Sequence, residues 1–185
     1  PTPRGNFTFE NIIADAVTSG TAHRNSVFFI AGNTNDPSAK SYTFKNCLFK
    51  NNWSGGMPAI ELSDLRGGTA LIDGCSFSNN GSIKNTNISS TSGGSGAVSI
   101  FHGPHDATYG STGFTGRRMV ISNSTFCGNT GVDMGALVVQ SNGGTIIENC
   151  IFSGNGATLF NSSGGAIMAR RLAKVRTAGN RLRSH

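Results

Sequence analysis

Apolar residues recur along this chain in short runs of alternating polarity, separated by Gly, Asn and Ser. Such alternation marks half-buried strands, in which successive side chains face opposite sides of a sheet. No stretch of residues 1–169 carries a convincing helical pattern, so the reading is all-β. The runs also repeat. Phe49-Lys-Asn-Asn52, Phe77-Ser-Asn-Asn80, Phe126-Cys-Gly-Asn129 and Phe152-Ser-Gly-Asn155 align as one Phe-x-x-Asn motif, and Phe9-Glu-Asn11-Ile12 is a degenerate earlier copy. Five residues before each Phe of the four full copies stands another core residue: Phe44, Ile72, Ile121 and Ile147. Between the two lie Asn46, Gly74, Asn123 and Asn149. Upstream runs a second motif: Ala59-Ile60-Glu-Leu62, Ala97-Val98-Ser-Ile100, Ala136-Leu137-Val-Val139 and Ala166-Ile167-Met-Ala169, with Ser26-Val27-Phe-Phe29 as its earlier member.

Phe44 and Ile72 are 28 residues apart, Ile121 and Ile147 are 26 apart, and Ile72 and Ile121 are 49 apart. One period of about 27 residues with a single insertion fits all three spacings. A unit of two or three short strands cannot bury its own apolar face, so successive units must stack, like residue over like. The expected fold is a right-handed parallel β-helix of five to six coils, one of them carrying long loop insertions near 81–96 and 101–118. Each column then has a physical reason. Asn or Gly at 11, 46, 74, 123 and 149 suits a tight bend, because both tolerate left-handed backbone angles. The same is expected of Asn52, Asn80, Asn129 and Asn155, whose amides can also hydrogen-bond along the stack. Cys47, Cys75, Ser124 and Cys150 share the inward parity of the Phe column. With no Cys-x-x-Cys or paired His, the cysteines read as reduced core fillers, and Cys127, of opposite parity, is expected to face outward.

Composition narrows the partners. The net charge of +6 suggests nucleic acid or an anionic membrane only if it forms a basic face on the folded body. Residues 1–169 contain nine basic and nine acidic residues, so the whole excess lies in Arg170, Arg171, Lys174, Arg176, Arg181 and Arg183. The body is neutral, and no nucleic-acid partner is expected for it. The longest apolar run, Val27 to Ala31, is far too short to span a bilayer. Because the chain opens at Pro1 and repeats approach both ends, it reads as a processed or truncated piece. Residues 1–169 form the expected repeat domain. Residues 170–185 leave the columns and are expected as a basic tail, either disordered or an amphipathic cap built on Leu172, Val175, Ala178 and Leu182.

The paired motifs, literal at Gly164-Gly-Ala-Ile167 and looser at 55–60, 95–98 and 134–137, together with Phe-x-x-Asn, resemble the repeats of chlamydial polymorphic membrane proteins over residues 7–169. The resemblance implies a β-helix passenger with the pectin-lyase-like fold, displayed outside the cell as an adhesin. Surface glycans or a host or neighbouring protein would then be the partners, together with further coils of the parent chain or stacked copies.

Many β-helices with this pattern are polysaccharide enzymes, which require clustered carboxylates for acid-base work. Here the acids are scattered, and Glu10, Lys45, Asp73, Ser122 and Glu148 form one outward column of mixed charge. No catalytic residue, metal site or cofactor is expected. The expected function is a non-enzymatic adhesive or structural stalk of a surface or secreted protein, and the alternative is a fragment of a polysaccharide lyase or glycoside hydrolase. Insertions on a solenoid concentrate function, so His102, His105, Asp106 and Tyr109 are the candidate binding residues, against the plainer reading of a solvated loop. Trp53, the single Trp, reads as a ring packed over a turn, with sugar stacking as the alternative. Sequons occur at Asn6, Asn52, Asn80, Asn87, Asn123 and Asn161, of which Asn52 and Asn80 sit in a predicted ladder that a glycan would disrupt.

Overall fold

The computed structural model describes residues 6–18, 26–31, 41–55, 58–63, 69–82, 95–101, 118–132, 134–140, 144–158, 165–170 and 174–183. Their regular elements are all strands. The first coil holds β1 (Phe7–Glu10), β2 (Ile13–Asp15) and β3 (Phe28–Ala31). The second holds β4 (Ser41–Lys45), β5 (Leu48–Lys50), β6 (Trp53–Ser54) and β7 (Ile60–Ser63). The third holds β8 (Thr69–Asp73), β9 (Ser76–Ser78), β10 (Gly81–Ser82) and β11 (Val98–Phe101). In the fourth are β12 (Arg118–Ser122), β13 (Thr125–Cys127), β14 (Thr130–Gly131) and β15 (Leu137–Gln140). The fifth has β16 (Gly144–Glu148), β17 (Ile151–Ser153), β18 (Gly156–Ala157) and β19 (Ile167–Arg170). A sixth adds β20 (Lys174–Ala178) and β21 (Arg181–Arg183).

Equivalent strands pair in parallel from coil to coil, giving sheets β1-β4-β8-β12-β16-β20, β2-β5-β9-β13-β17-β21, β6-β10-β14-β18 and β3-β7-β11-β15-β19. The chain is a parallel β-helix. A full coil carries four strands rather than two or three, the extra one being the two-residue strand at β6, β10, β14 and β18.

The core is built from columns. Phe49, Phe77, Phe126 and Phe152 stack with centroids 5.0, 4.9 and 4.7 Å apart and rings within 6° of parallel. The strand repeat sets this spacing, and it suits ring faces lying one over the next. Phe9 belongs to the neighbouring column, paired with Phe44, and Ala14 begins the Phe49 column. At the first corner Asn11, Asn46, Asn123 and Asn149 adopt φ between 49 and 56°, as their column predicts. Gly74 completes that corner at φ 61°, and the Oδ1 of Asn46 lies 2.6 Å from where its Cβ would stand. At the second corner the expectation shifts by one residue. The left-handed positions are Asn51, Asn79, Gly128 and Gly154, and the Asn that follows each is free to turn its amide inward.

That inward amide is the main tie between coils. Asn80 Nδ2 donates to Asn129 Oδ1 at 2.9 Å and to Phe49 O at 2.9 Å, while Asn80 Oδ1 accepts from Asn52 Nδ2 at 2.8 Å. Asn129 repeats the pattern with Asn155 Oδ1 and Phe77 O. Asn52, Asn80 and Asn129 are buried, and their bonding removes the penalty for burying an amide. The thiol column does related work. Cys47, Cys75 and Cys150 are buried and point Sγ at backbone carbonyls of the preceding coil, those of Phe9, Phe44 and Ile121. Cys127 is exposed.

Two further expectations are corrected. Phe28, not Val27, pairs with Ile60, so the first member of the Ala-Ile motif begins one residue later; this turns Phe28 and Ile30 inward and Phe29 out. Within the segment expected as a tail, residues 174–183 continue the columns. β20 pairs with β16 and β21 with β17, Gly179 takes the corner at φ 63°, and Asn180 donates to Ile147 O at 2.9 Å. Gly179 and Asn180 form the corner of another coil. Leu182 occupies the Phe column there.

Candidate functional site

The Gly of the Gly-Ala motif closes one corner of each later coil. A Cβ on Gly135 would stand 2.2 Å from Gly165 O and 2.5 Å from Gly156 N, so backbone packs on backbone and only Gly fits. In the second coil Pro58 stands before the Ala in place of Gly. Trp53 lies over Gly81 of β10, its ring atoms 2.2 to 2.7 Å from where a Gly81 Cβ would be. The ring therefore packs on a strand glycine of the next coil rather than on a turn, and the residue stays 38% exposed.

Beside Trp53 is a cavity of about 190 Å³ lined by Val17, Thr18, Ser26, Val27, Asn52, Trp53, Ser54, Pro58, Ala59 and Gly81. Its polar groups differ in how they are used. The Asn52 amide is spent on Ala14 O and Asn80 Oδ1, whereas the Ser26 hydroxyl is buried with no hydrogen-bond partner. A buried hydroxyl without a partner costs free energy unless something satisfies it. An indole beside a free hydroxyl suits a small ligand with an apolar face and hydroxyl groups. Ser26 has no sequence motif to mark it. Trp53 stands out in the alignment as a large ring in the column of Gly81, Thr130 and Gly156.

The outward ladders hold charge in pairs. Lys45 lies 3.8 Å from Glu10, and Lys50 lies 3.0 Å from Asp15. Hydrogen bonding from Asn51 and then from Lys50 lowers the pKa of Asp15. Asp73 accepts from Ser122 Oγ at 2.7 Å and Asn123 Nδ2 at 2.8 Å, and these bonds, Ser122 first, hold its carboxyl below the ordinary range. Burial pushes the Cys75 thiol up to about 12 and raises that of Cys150. Among the described residues no three His, Cys, Asp or Glu side chains converge as a metal site.

His102, His105, Asp106 and Tyr109 lie outside the described residues, as do the sequons Asn87 and Asn161. The flanks of their insertion are β11 and β12. Glu61, Ser99 and Val138 hold outward register on β7, β11 and β15 yet are buried. Asn6 and Asn123 are exposed, whereas the sequon amides of Asn52 and Asn80 are buried in the ladder. No family model matches the chain, and no curated protein is similar to it in sequence.

Proposed function

We propose that this chain is a non-enzymatic β-helix segment of a cell-surface or secreted protein, acting in adhesion or as a structural stalk. The pairing of its carboxylates carries the reading. A general acid for glycoside cleavage needs a raised pKa and a second carboxylate across the scissile bond. Asp15 and Asp73 are instead held ionised by bonds within the ladders, and Glu10 faces Lys45. The amide and ring columns make a stiff rod, which suits a stalk. The motif resemblance adds display outside the cell, and the Trp53 cavity offers a contact for a surface glycan.

The test joins turnover to binding. The chain is incubated with polygalacturonate and a panel of plant, algal and bacterial glycans, with release of reducing or unsaturated ends as one readout and retention on a glycan array as the other. No turnover is expected, and any retained glycan is expected to be lost on Trp53→Ala. Turnover abolished by changing one Asp or Glu would replace this reading with a polysaccharide-active one.

A further inference from the structure

The corner ahead of the Ala-Ile motif opens in the second coil. Pro58 holds there the position that Gly96, Gly135 and Gly165 hold in the later coils. Those glycines bring backbone against backbone: a Cβ on Gly96 would stand 2.6 Å from Gly135 O and 2.7 Å from Thr130 N. At the opened corner the cavity of about 190 Å³ has Trp53, Ser26, Val27, Pro58 and Ala59 among its walls, and no Lys, Arg, His, Asp or Glu among the described residues that line it. Its volume is below the roughly 300 Å³ at which drug-sized ligands are enclosed, so it admits one ring rather than a chain. Trp53 has ring surface left to cover, and the Ser26 Oγ is buried in the wall with no hydrogen-bond partner. Turning that hydroxyl to another staggered rotamer, toward the cavity, breaks no bond.

Resting on the reading of this cavity as a glycan contact, we propose that it takes the end ring of a neutral glycan: one uncharged pyranose, its C–H face against the Trp53 indole and one hydroxyl bonded to Ser26 Oγ. Each part of the ligand follows from the walls. A sugar ring has an apolar C–H face and a rim of hydroxyls, which matches an aromatic ring beside a hydroxyl side chain. Acidic sugars are disfavoured, because a carboxylate brought from water into an uncharged cavity loses hydration with no cation to meet it. The hydroxyl separates a sugar from a purely apolar ring, since its bond to Ser26 satisfies a group that is otherwise unpaired.

Trp53 is the single Trp of the chain, so tryptophan fluorescence reports on this cavity alone. The whole chain is titrated with the methyl glycosides of glucose, galactose, mannose and fucose, with galacturonate and with cyclohexanol. At least one neutral glycoside is expected to give a saturable blue shift as its ring expels water from the indole, with a dissociation constant of about 1 mM, the scale for a ligand of roughly a dozen heavy atoms. Galacturonate and cyclohexanol are expected to bind about tenfold more weakly or not at all. Ser26→Ala keeps the fluorophore and removes one hydroxyl. It is expected to weaken the neutral sugar about fivefold, with circular dichroism checking that the strands are kept. No saturable shift with any neutral glycoside overturns the proposal. So does galacturonate binding as tightly, which removes the neutral class, and so does cyclohexanol binding as tightly, which leaves an apolar cavity only. An unchanged affinity in Ser26→Ala overturns it as well. Each of these failures leaves the stalk reading standing, because turnover of the glycan panel, not ring binding, decides between stalk and enzyme.

Discussion

Phe77 in the third coil and Leu182 in the sixth occupy the same column, yet one is fully buried and the other is 71% exposed. The register is the same at both positions. What differs is that Phe77 has rings on both sides, 5.0 and 4.9 Å away, while among the described residues Leu182 has a strand neighbour on one side only. In a solenoid, a column position sets which residue is the neighbour, and packing from the coils on either side completes the burial of a large side chain such as Phe77. Stability should therefore follow position along the stack more closely than residue type.

The largest expected effect lies in the middle. Phe77→Ala removes a ring from between two others and leaves a cavity, costing about 3 to 5 kcal/mol. Leu182→Ala removes side-chain surface that is mostly in water, and about 0.5 kcal/mol or less is expected. Urea unfolding of both variants checks the contrast. Equal costs would mean that the end coil is as closely packed as the centre, which would break the comparison.

The same contrast holds for the amides. Asn129→Ala removes donors to Phe77 O and Asn155 Oδ1, and it leaves the backbone N–H of Asn80 without the Oδ1 that it reaches at 3.1 Å. Stranding several buried polar groups should cost about 2 to 3 kcal/mol. Asn180→Ala in the last coil loses one donor bond to Ile147 O and one acceptor for Cys150 N, both half-buried. About 1 kcal/mol is expected there, and thermal melts of the two variants give the ratio.

The Phe, Ile and first-corner columns were legible in the sequence because four copies keep the same internal spacing: Ile121 to Phe126 repeats Ile147 to Phe152, whereas at the second corner two adjacent Asn or Gly-Asn residues left the bend one position ambiguous. Legibility failed where a copy changes residue type or a strand is too short for alternation. Leu182 replaces Phe and Gly179-Asn180 resembles a helix stop, so the sixth coil read as a tail. Ser26-Val27-Phe28-Phe29 offers two adjacent apolar registers, and packing against Phe9, Phe44 and Phe49, with ring centroids 4.9, 5.4 and 5.9 Å away, selects Phe28 as the inward residue. The two-residue strands Trp53–Ser54 and Gly81–Ser82 show no alternation at all. Of the cavity beside them, Trp53 was visible by its rarity, whereas Ser26 matters only through a burial that no local pattern encodes.

The thiols sharpen the comparison along another axis. Cys75 is buried and its pKa stands near 12, above its ordinary 9.0, because burial penalises the thiolate. A raised folded pKa favours the protonated form, so this contribution is whole below pH 9 and is lost as pH rises from 9 toward 12. In that window the Cys75 thiol should cost about 1.4 kcal/mol per pH unit. Cys75→Ala should flatten the alkaline limb of the stability curve. Labelling of the native chain should find Cys127 fast and Cys75 and Cys150 slow, since reactivity follows the thiolate and its exposure. Rapid labelling of Cys75 would show that its column is not packed.

The smallest effect is expected on the outer face, in the column of Glu10, Lys45, Asp73, Ser122 and Glu148. Asp73 of the third coil accepts hydrogen bonds from Ser122 and Asn123 of the fourth, and those bonds depress its pKa below 3.8. A depressed folded pKa contributes stability that is present above the unfolded value near 3.8 and disappears as pH falls through the lower folded value. Asp73→Asn keeps the shape and the Oδ1 acceptor while removing the charge. The variant should therefore melt slightly below wild type at pH 7, with the gap closing near pH 2. Because this carboxylate is largely in water, the difference at pH 7 should stay below about 1 kcal/mol. Paired melts at the two pH values decide the matter. A gap of the same size at both would mean that Asp73 ties the coils by shape alone, and that charge adds nothing to the outer ladder.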